Sequence, residues 1–330
     1  MKLADLGEFG FIERISSAAA VGPGVLRGIG DDCAVLELPP GQLLLTSKDM
    51  LIEGVHFQLS WSGWRTLGRK SVAVNISDIA AMGGTPRYLY LGLGVPDSAT
   101  VEELNQFLDG FLEAAAEYGA LLVGGDTCRS PGPLLISVTV EGTVPKAEVV
   151  SRGGARPGDG IYVSGTLGDS ALGLRQLLKG EKPGEFLARR HFDPQPRISL
   201  GRALAEKGLA SAMIDLSDGL LGDLGHILKA GSAGAVLEEA RLPLSAEFRH
   251  ALQADPASMQ LAWAGGEDYE LLFTVPPEKE PLPMGLASAC GVDLTRIGVI
   301  CEAKDGLRIL DARGRYRSPE AGGFNHFRSG

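Results

Sequence analysis

The sequence is best read outward from residues 74–84, which are Val74-Asn75-Ile76-Ser77-Asp78-Ile79-Ala80-Ala81-Met82-Gly83-Gly84. Apolar residues recur here at the three- and four-residue spacing of one helical face, which predicts the end of a helix. Gly83 and Gly84 stop the helix, and Pro86 prevents it from resuming. Asn75 and Asp78 are three residues apart and project from one turn, away from the apolar face. This pair could bind a hard cation or a polar ligand, or it could belong to an ordinary solvated face.

The composition is that of an ordinary globular protein with room for two domains. Hydrophobic residues make up 44% of the 330 residues and charged residues 22%, which excludes a disordered chain. The net charge of −10 argues against a nucleic-acid-binding surface, because such a surface needs clustered Lys and Arg. No run of about 18 apolar residues occurs, so no membrane span is expected.

The spacing of the cysteines bears on whether the protein resides in a reducing or an oxidising compartment. The four cysteines are Cys33, Cys128, Cys290 and Cys301, and they form no CxxC pair and no zinc-type spacing. We interpret them as reduced and buried, in a cytoplasmic protein.

Helical and strand patterns alternate along the whole chain. Helices are predicted at residues 1–20, 64–82, 102–118, 169–178, 197–207 and from 219 to about 231. Strands are predicted at residues 43–47, 88–94, 121–123, 134–144, 160–164, 269–275, 295–300 and 307–310. Residues 145–158 are rich in Gly, Pro and charge, which predicts two domains, 1–146 and 147–330.

Acidic residues supply the main chemical signal. The carboxylates that stand out are Asp31, Asp32, Asp49, Asp78, Asp126, Asp215 and Asp218. Most lie beside Gly, Ser or another Asp, which predicts positions at turns or element ends, and Asp49 is predicted to end a strand. Carboxylates that converge without soft ligands favour Mg²⁺ shared with the phosphates of a nucleotide. Taken singly, each aspartate could instead be a helix cap or a turn residue.

Other catalytic and phosphate-binding devices are weak or absent in the sequence. Residues 165–170, Gly165-Thr166-Leu167-Gly168-Asp169-Ser170, could offer backbone N–H groups to an anion, or they could form a plain loop and cap. No GxGxxG opens a helix after a strand, and no Cys/His or GxSxG arrangement supplies a catalytic nucleophile. His56 is the histidine nearest an acidic cluster, and it could be functional or structural.

Six motifs run in order along essentially the whole chain. They are Gly28-Ile29-Gly30-Asp31-Asp32-Cys33-Ala34, Asp49-Met50-Leu51-Ile52-Glu53-Gly54-Val55-His56-Phe57, Asn75-Ile76-Ser77-Asp78-Ile79-Ala80-Ala81-Met82-Gly83, Gly124-Gly125-Asp126-Thr127, Ile214-Asp215-Leu216-Ser217-Asp218-Gly219 and Gly265-Gly266-Glu267-Asp268-Tyr269-Glu270. Together they resemble the thiamine-monophosphate kinase family, in the superfamily of aminoimidazole ribonucleotide synthetase and selenophosphate synthetase. Residues 53–57 and 265–270 point to the kinase in particular.

The resemblance implies a two-domain PurM-like architecture of the α/β (α+β) class. In it, an N-terminal sheet-forming domain dimerises and binds ATP and Mg²⁺, and a C-terminal α/β domain contributes to nucleotide and substrate binding. The implied activity is ATP-dependent phosphorylation of thiamine monophosphate to thiamine diphosphate by a homodimer with several Mg²⁺ ions. Two alternatives stay open, which are another ATP-using member of the superfamily (aminoimidazole ribonucleotide synthetase-like or hydrogenase-maturation-like) and a non-catalytic metal-binding protein.

The resemblance also implies three sets of site residues. Metal contacts fall on Asp32 with Asp31 beside it, Ser47, Lys48, Asp49, Asp78, Asp126, Asp215 and Asp218. ATP contacts fall on Gly125, Asp126, Arg152 and Ser217, and thiamine monophosphate contacts fall on His56, Glu267 and Phe324. The family usually has a small hydroxyl residue where Lys48 stands, which leaves open whether the ammonium replaces part of one ion's charge. Phe324 stands where the family often has Trp, so it can stack but lacks the indole N–H.

Overall fold

The computed structural model of the chain describes residues 3–29, 33–280 and 283–319. The chain divides into two compact units, unit 1 with Met1–Ile79 and Gly84–Ala147 and unit 2 with Ala80–Gly83 and Glu148–Gly330. The boundary that the sequence predicts after residue 146 lies one residue before the last residue of unit 1. In its described part, the chain has no helix that is both long enough and apolar enough to cross a membrane.

Unit 1 is built on a four-stranded sheet. Its elements are α1 (Leu3–Ala18), β1 (Val25–Arg27), β2 (Val35–Leu36), β3 (Gln42–Ile52), α2 (Leu59–Ser62), α3 (Trp64–Ala81), β4 (Thr85–Pro96), α4 (Val101–Glu117), β5 (Leu121–Ser130) and β6 (Leu135–Pro145). The strand order is β3-β6-β4-β5, with β4 and β5 parallel and the other neighbours antiparallel. The short strands β1 and β2 form a separate antiparallel pair.

The two faces of this sheet differ in burial because side chains alternate along a strand. On β6, the buried residues Ile136, Val138 and Val140 alternate with the partly exposed Ser137 and Thr139. We call the side of Val138 the helical face, since α3 is bonded to β3 there, and the side of Thr139 the open face. The helical face carries the core of the unit, and the open face carries mostly polar side chains.

Helix α4 forms where the sequence predicts it, for reasons that are local. Thr100 caps its N-terminus, accepting from the N–H of Glu103 at 3.3 Å while its own N–H donates to the Glu103 carboxylate at 2.8 Å. The buried stripe includes Phe107 and Phe111 at helical spacing. Capping and burial therefore specify the same element.

Two expectations for unit 1 are wrong in a way that affects the site. The short strand predicted at 121–123 is the ten-residue β5, so residues 124–126 lie inside a strand rather than after it. Asp49 likewise lies within β3, which runs on to Ile52, and does not end it. Sheet register, rather than loop convergence, therefore decides where Asp49 and Asp126 point.

Unit 2 is built on a seven-stranded mixed sheet. Its elements are β7 (Gly160–Ser164), α5 (Asp169–Leu178), α6 (Glu185–Phe192), α7 (Ile198–Glu206), β8 (Ala212–Asp215), α8 (Leu220–Gly231), β9 (Ala233–Glu238), α9 (Ala246–Ala254), α10 (Met259–Ala264), β10 (Leu271–Val275), α11 (Met284–Cys290), β11 (Leu294–Glu302), β12 (Leu307–Leu310) and β13 (Tyr316–Arg317). The strand order is β13-β12-β9-β11-β7-β10-β8, and β12 and β9 form its parallel pair.

The sheet of unit 2 is covered by apolar clusters on both faces. Ile161 and Val163 belong to one cluster with the helices α5, α6, α8 and α10, whereas Tyr162 belongs to a second cluster with α7 and α11. Strands β7 and β10 are buried along their whole length. A strand with helices on both sides reads as a continuous apolar run, which is why β7 was predictable to the residue.

Some elements of unit 2 were predicted correctly, and others were not predicted. Helix α5 and strand β12 coincide with their predictions, whereas α6, β8, β9, α9, α10, α11 and β13 have no counterpart among the predicted elements. The four cysteines carry free thiols, but none is buried, so the predicted burial is wrong.

Candidate active site

One group of predicted site residues meets where β3 runs beside α3. The hydroxyl of Ser47 donates a hydrogen bond to Asp78 Oδ2 at 2.5 Å. The backbone N–H of Asp49 donates to Asn75 Oδ1 at 3.1 Å, and the Asn75 amide donates to the carbonyl of Ser71 at 2.9 Å. Ser47 and Asp49 share the helical face of the sheet because they are two residues apart. Unit 1 therefore brings Ser47, Asp49 and Asp78 together.

Lys48 projects from the open face instead. Its ammonium donates to Ser137 Oγ at 2.5 Å and to Thr139 Oγ1 at 3.3 Å. The sheet therefore separates this charge from the carboxylate of Asp78. A metal contact of Lys48 at the Asp78 group would have to use its backbone carbonyl, and that contact stays a prediction.

Asp126 also lies on the open face. Across the sheet, Asp126 of β5 is paired with Gly92 of β4, Gly92 with Ser137 of β6, and Ser137 with Met50 of β3. Asp49 is one residue away from Met50 on β3, so its side chain points to the other face. Strands in a sheet are about 4.8 Å apart, so three spacings separate β5 from β3 by roughly 14 Å. Within unit 1 the structure does not bring Asp126 to the group of Ser47, Asp49 and Asp78.

Gly125 lies directly against the backbone of β4. A Cβ atom there would overlap the carbonyl oxygen of Leu91, so only glycine fits without moving the backbone. This close packing explains a glycine inside a strand and fixes the position of Asp126 beside it.

His56 lies on the turn that follows β3. Its Nδ1 accepts a hydrogen bond from the N–H of Ile52 at 3.1 Å. In neutral imidazole one nitrogen accepts and the other carries the proton, so Nε2 is the donor atom. In the neutral ring, Nδ1 accepts from the N–H of the turn, so Nε2–H is the group able to donate a hydrogen bond to an anionic ligand.

A second acidic group occupies unit 2 between β8 and the first two turns of α8. Asp215 ends β8, and the N–H of Asp218 donates to Asp223 Oδ2 at 3.1 Å. Carboxylate oxygens of Asp218 and Asp223 and a ring nitrogen of His226 all lie within 4.8 Å of one another. This set offers mainly hard oxygen ligands at one place.

Asp215, Asp218 and Asp223 would repel one another if all three were ionised. Burial, followed by the charges of Asp215 and Asp218, raises the pKa of Asp223 to about 8, and the nearby Arg152 opposes the shift. A divalent cation would relieve the repulsion, and oxygen donors are the ligands that Mg²⁺ prefers. The residues present therefore fit Mg²⁺.

Residues 265–270 pass directly over the loop that precedes α8. A Cβ at Gly266 would overlap the carbonyl oxygen of Ser217, so the two segments lie in backbone contact. The N–H groups of Glu267 and Tyr269 donate to the carbonyls of Ser217 and Leu216, each at 2.8 Å. Glu267 and Tyr269 have φ of 66° and 51°, a left-handed conformation that non-glycine residues rarely adopt.

A buried ionic network lies behind this segment. Glu270 accepts from Arg190 at 2.9 Å, from Arg197 at 2.5 and 2.7 Å, and from Ser164 Oγ at 2.5 Å. Burial alone would raise the pKa of Glu270, but the hydrogen bond from Arg197 and the charge of Arg190 hold that pKa below its usual value. Arg190 also donates to the carbonyl of Asp268 at 3.3 Å. The network therefore fixes the backbone of residues 268–270.

The loop at residues 165–168 uses backbone N–H groups within the fold. The N–H groups of Gly165, Leu167 and Gly168 donate to Asp293 O, Pro243 O and Asp268 Oδ2 at 2.8–3.0 Å. These three donors are used within the fold, which favours the interpretation as a plain loop.

Comparison with known proteins gives the family. The N-terminal domain model of AIR synthase related proteins matches residues 30–144, and the C-terminal domain model matches residues 156–310. The thiamine-monophosphate kinase of Escherichia coli (strain K12) is 41% identical over 333 residues, covering 97% of this chain and 98% of that protein. The chain belongs to the thiamine-monophosphate kinase family. The resemblance suggested by the six motifs and the two-domain PurM-like fold that it implied are thereby confirmed.

Solved structures agree with this family and extend over both units. The crystal structure of thiamine-monophosphate kinase from Stenotrophomonas maltophilia K279a has a TM-score of 0.82 at 37% identity and covers 91% of this chain and 95% of its own. The structure of AaThiL complexed with AMPPCP and TMP has a TM-score of 0.77 at 34% identity and covers 99% of both chains.

Three residues to which the kinase family resemblance assigns roles lie outside the described residues. They are Asp31, Asp32 and Phe324. The metal and substrate contacts expected of them stay predictions, as do the roles of the residues described above.

Several residues that lie at or behind the acidic groups are not predicted from the sequence. Asp223 and His226 are three apart on α8, a spacing that puts both on one helical face, so helical periodicity could have linked them to Asp218. His191 and Arg190 lie on α6, which was not predicted, and their contacts join residues distant in sequence. No local pattern could have found those two.

Proposed function

We propose that this chain transfers the γ-phosphoryl group of ATP directly to the phosphate of thiamine monophosphate, giving thiamine diphosphate in a Mg²⁺-assisted, in-line step. The observation that carries the proposal is the 41% identity with a thiamine-monophosphate kinase over 97% of the chain, which spans both units. AMPPCP is an analogue of ATP, so a structural neighbour complexed with AMPPCP and TMP supports the choice of both substrates.

The chemistry asks for positioning and charge neutralisation rather than a protein nucleophile. The acceptor phosphate is already ionised, so no general base is required to activate it. Asp49 and Asp78 in unit 1 and Asp215 and Asp218 in unit 2 are the residues that would hold Mg²⁺, and Ser47 orients the carboxylate of Asp78. Bound Mg²⁺ supplies positive charge against the phosphates.

The substrate contacts follow from the charge of each side chain. Arg152, the cation beside the acidic group of unit 2, suits the phosphates of ATP by its charge. The ATP contacts of Gly125, Asp126 and Ser217 rest on the family resemblance. The Nε2–H of His56 suits the phosphate of thiamine monophosphate. The carboxylate of Glu267 suits the cationic, amine-bearing rings, on which Phe324 would stack.

The test is ADP release coupled to a reporter reaction, with thiamine monophosphate as the acceptor. Asp78→Asn should abolish turnover without unfolding the protein, because the amide oxygen can still accept from Ser47. Asp109→Asn, on the exposed side of α4, is the matched control and should retain full activity. Near-normal turnover of Asp78→Asn would refute the metal-binding role of Asp78. Activity with aminoimidazole precursors but not with thiamine monophosphate would favour the superfamily alternative.

We also propose a homodimer formed through the sheet of unit 1. The family resemblance implies this interface, and Leu44 and Met50, 43% and 46% exposed on the open face of β3, are apolar side chains that a partner sheet could cover. Light scattering should give twice the chain mass of 34.6 kDa. The double variant Leu44→Lys, Met50→Lys should shift the protein toward the monomer, and a monomeric parent protein would contradict the proposal.

The proposed location is the cytoplasm. The four free thiols are those expected in a reducing compartment, and this supports the location. Fractionation of cells that express the tagged chain tests it, and activity confined to another compartment would count against it.

A further inference from the structure

The carboxylate that we propose at the substrate is held from behind by a buried histidine. Glu267 Oε2 lies 3.3 Å from His191 Nδ1. The His191 side chain is 2% exposed, whereas that of Glu267 is 25% exposed. One side of the carboxylate is therefore anchored in the protein interior, and another side is accessible to a ligand.

The histidine is itself bracketed by a serine, but the three residues do not form a hydrolytic relay. Ser170 Oγ lies 3.0 Å from the same Nδ1 atom that contacts Glu267. A Ser–His–Glu relay uses both ring nitrogens, one toward each partner, and needs an accessible hydroxyl. Ser170 is fully buried. The arrangement can orient Glu267, and it cannot activate Ser170 as a nucleophile.

The backbone around Glu267 is already fixed, which leaves its side chain as the part that can still move. The N–H of Glu267 is bonded to Ser217, and Arg190 donates to the carbonyl of Asp268 on the other side. A free glutamate side chain has three rotatable bonds, and ordering it on ligand binding weakens affinity. With the proton on Nδ1, the 3.3 Å contact of His191 with the carboxylate orders it in advance, and Ser170 Oγ at 3.0 Å is then not a donor toward Nδ1.

We propose that His191, with Ser170 beside it, is a positioning residue that holds the Glu267 carboxylate ready for the amine-bearing, cationic part of the substrate. This inference rests on the proposed function, in which Glu267 contacts thiamine monophosphate. It adds that recognition of this substrate depends on α6, an element that carries none of the six motifs. ATP recognition does not depend on this contact, since Glu267 is not among the proposed ATP contacts.

The test compares substitutions of His191 by steady-state kinetics of the full-length protein. His191→Leu removes the ring nitrogen and should raise KM for thiamine monophosphate about 5- to 30-fold, with KM for ATP and kcat changed by less than about twofold. His191→Asn places an amide nitrogen near the position of Nδ1 and should restore most of the affinity. His250→Leu, an exposed histidine on α9, is the matched control and should behave as the parent protein.

A double-mutant cycle separates positioning from a purely structural role. If His191 acts through Glu267, then His191→Leu should have almost no further effect on KM for thiamine monophosphate in a Glu267→Gln background. An unchanged KM in the single variant, equal rises in both KM values, or full additivity in the cycle would overturn the proposal. Should His191→Leu fail to fold, His191→Gln, whose amide reaches toward the position of Nε2 rather than Nδ1, takes its place against His191→Asn and should show the same rise in KM for thiamine monophosphate. A parent protein that does not phosphorylate thiamine monophosphate refutes the proposed function, whereas an active parent with unaffected variants refutes the positioning role alone.

Discussion

Asp268 should make unit 2 less stable as the pH rises, and Asp268→Asn should remove that dependence. The carboxyl is buried, Oδ2 accepts from the N–H of Gly168 at 2.8 Å, and Oδ1 has no hydrogen-bond partner among the described residues. Arg190 lies 3.9 Å from Oδ1, but its guanidinium is engaged at 2.9 Å by Glu270. Burial therefore outweighs the distant cation and raises the pKa of Asp268 from 3.8 to about 7.

The sign and size of the effect follow from proton linkage. A carboxyl whose pKa is higher in the folded state binds its proton more tightly there, so the free energy of unfolding falls as pH rises from 3.8 toward 7. The full loss is about 4 kcal/mol, of which about 2 kcal/mol falls between pH 5.5 and pH 8. For a unit of this size, 2 kcal/mol corresponds to roughly 4–8 °C in Tm.

Thermal unfolding of the two proteins at pH 5.5 and pH 8 measures this difference. Asp268→Asn keeps an oxygen for the N–H of Gly168 and cannot ionise, so its Tm relative to the parent should rise by about 4–8 °C between the two pH values. All other titrating groups are common to both proteins and cancel. Asp109→Asn should show no such pH-dependent gap. A gap for Asp268→Asn that is the same at both pH values would show that the pKa of Asp268 is not raised.

Two further predictions concern stability and use urea unfolding. Glu270→Gln leaves Arg190 and Arg197 without their buried partner and should cost about 3–5 kcal/mol, whereas Arg65→Met breaks an exposed ion pair and should cost less than about 1 kcal/mol. Equal losses would contradict the importance of burial. Thr100→Ala removes the cap of α4 and should cost about 0.5–2 kcal/mol, with Thr100→Ser recovering most of it; no recovery would indicate a loss unrelated to capping.

Strong local periodicity made part of the fold predictable from the sequence. The apolar stripe of α4 and the unbroken apolar run of β7 each specify one element, and the structure agrees with both. The glycines of β5 led to a wrong prediction. Gly124 and Gly125 suggested the end of a strand, yet the strand continues because Gly125 allows β4 to approach. Only the tertiary structure shows that second use of glycine.

Helix α6 was beyond sequence reasoning for a different reason. It has eight residues, is flanked by Pro183, Gly184 and Pro194, and carries several charges, so its intrinsic helical tendency is weak. Its stability comes from tertiary contacts, since Leu187 is buried in the core and Arg190 is bonded to Glu270. Residues on an element of this kind, such as Arg190 and His191, are therefore not marked by a recognisable sequence motif.

The sequence also could not assign Asp49 and Asp126 to a face of their sheet. A shift in register between Leu89 and Tyr90 changes how β4 pairs with β5, and the face of Asp126 depends on that shift. A one-residue change in register moves a side chain to the other face. Motif spacing alone therefore identified the acidic residues but not which of them meet within unit 1.

The acidic residues of the segment 265–270 differ in burial although they are close in sequence. Three acids lie within four positions, and each has a different environment. Glu270 is neutralised by two arginines, and Asp268 is buried with a raised pKa, so neither can meet a substrate as an accessible anion. Glu267 is partly exposed and anchored by His191. Of the three, Glu267 is therefore the carboxylate whose accessibility is compatible with the proposed substrate contact, and Glu267 and Tyr269 both have the left-handed backbone that non-glycine residues rarely adopt.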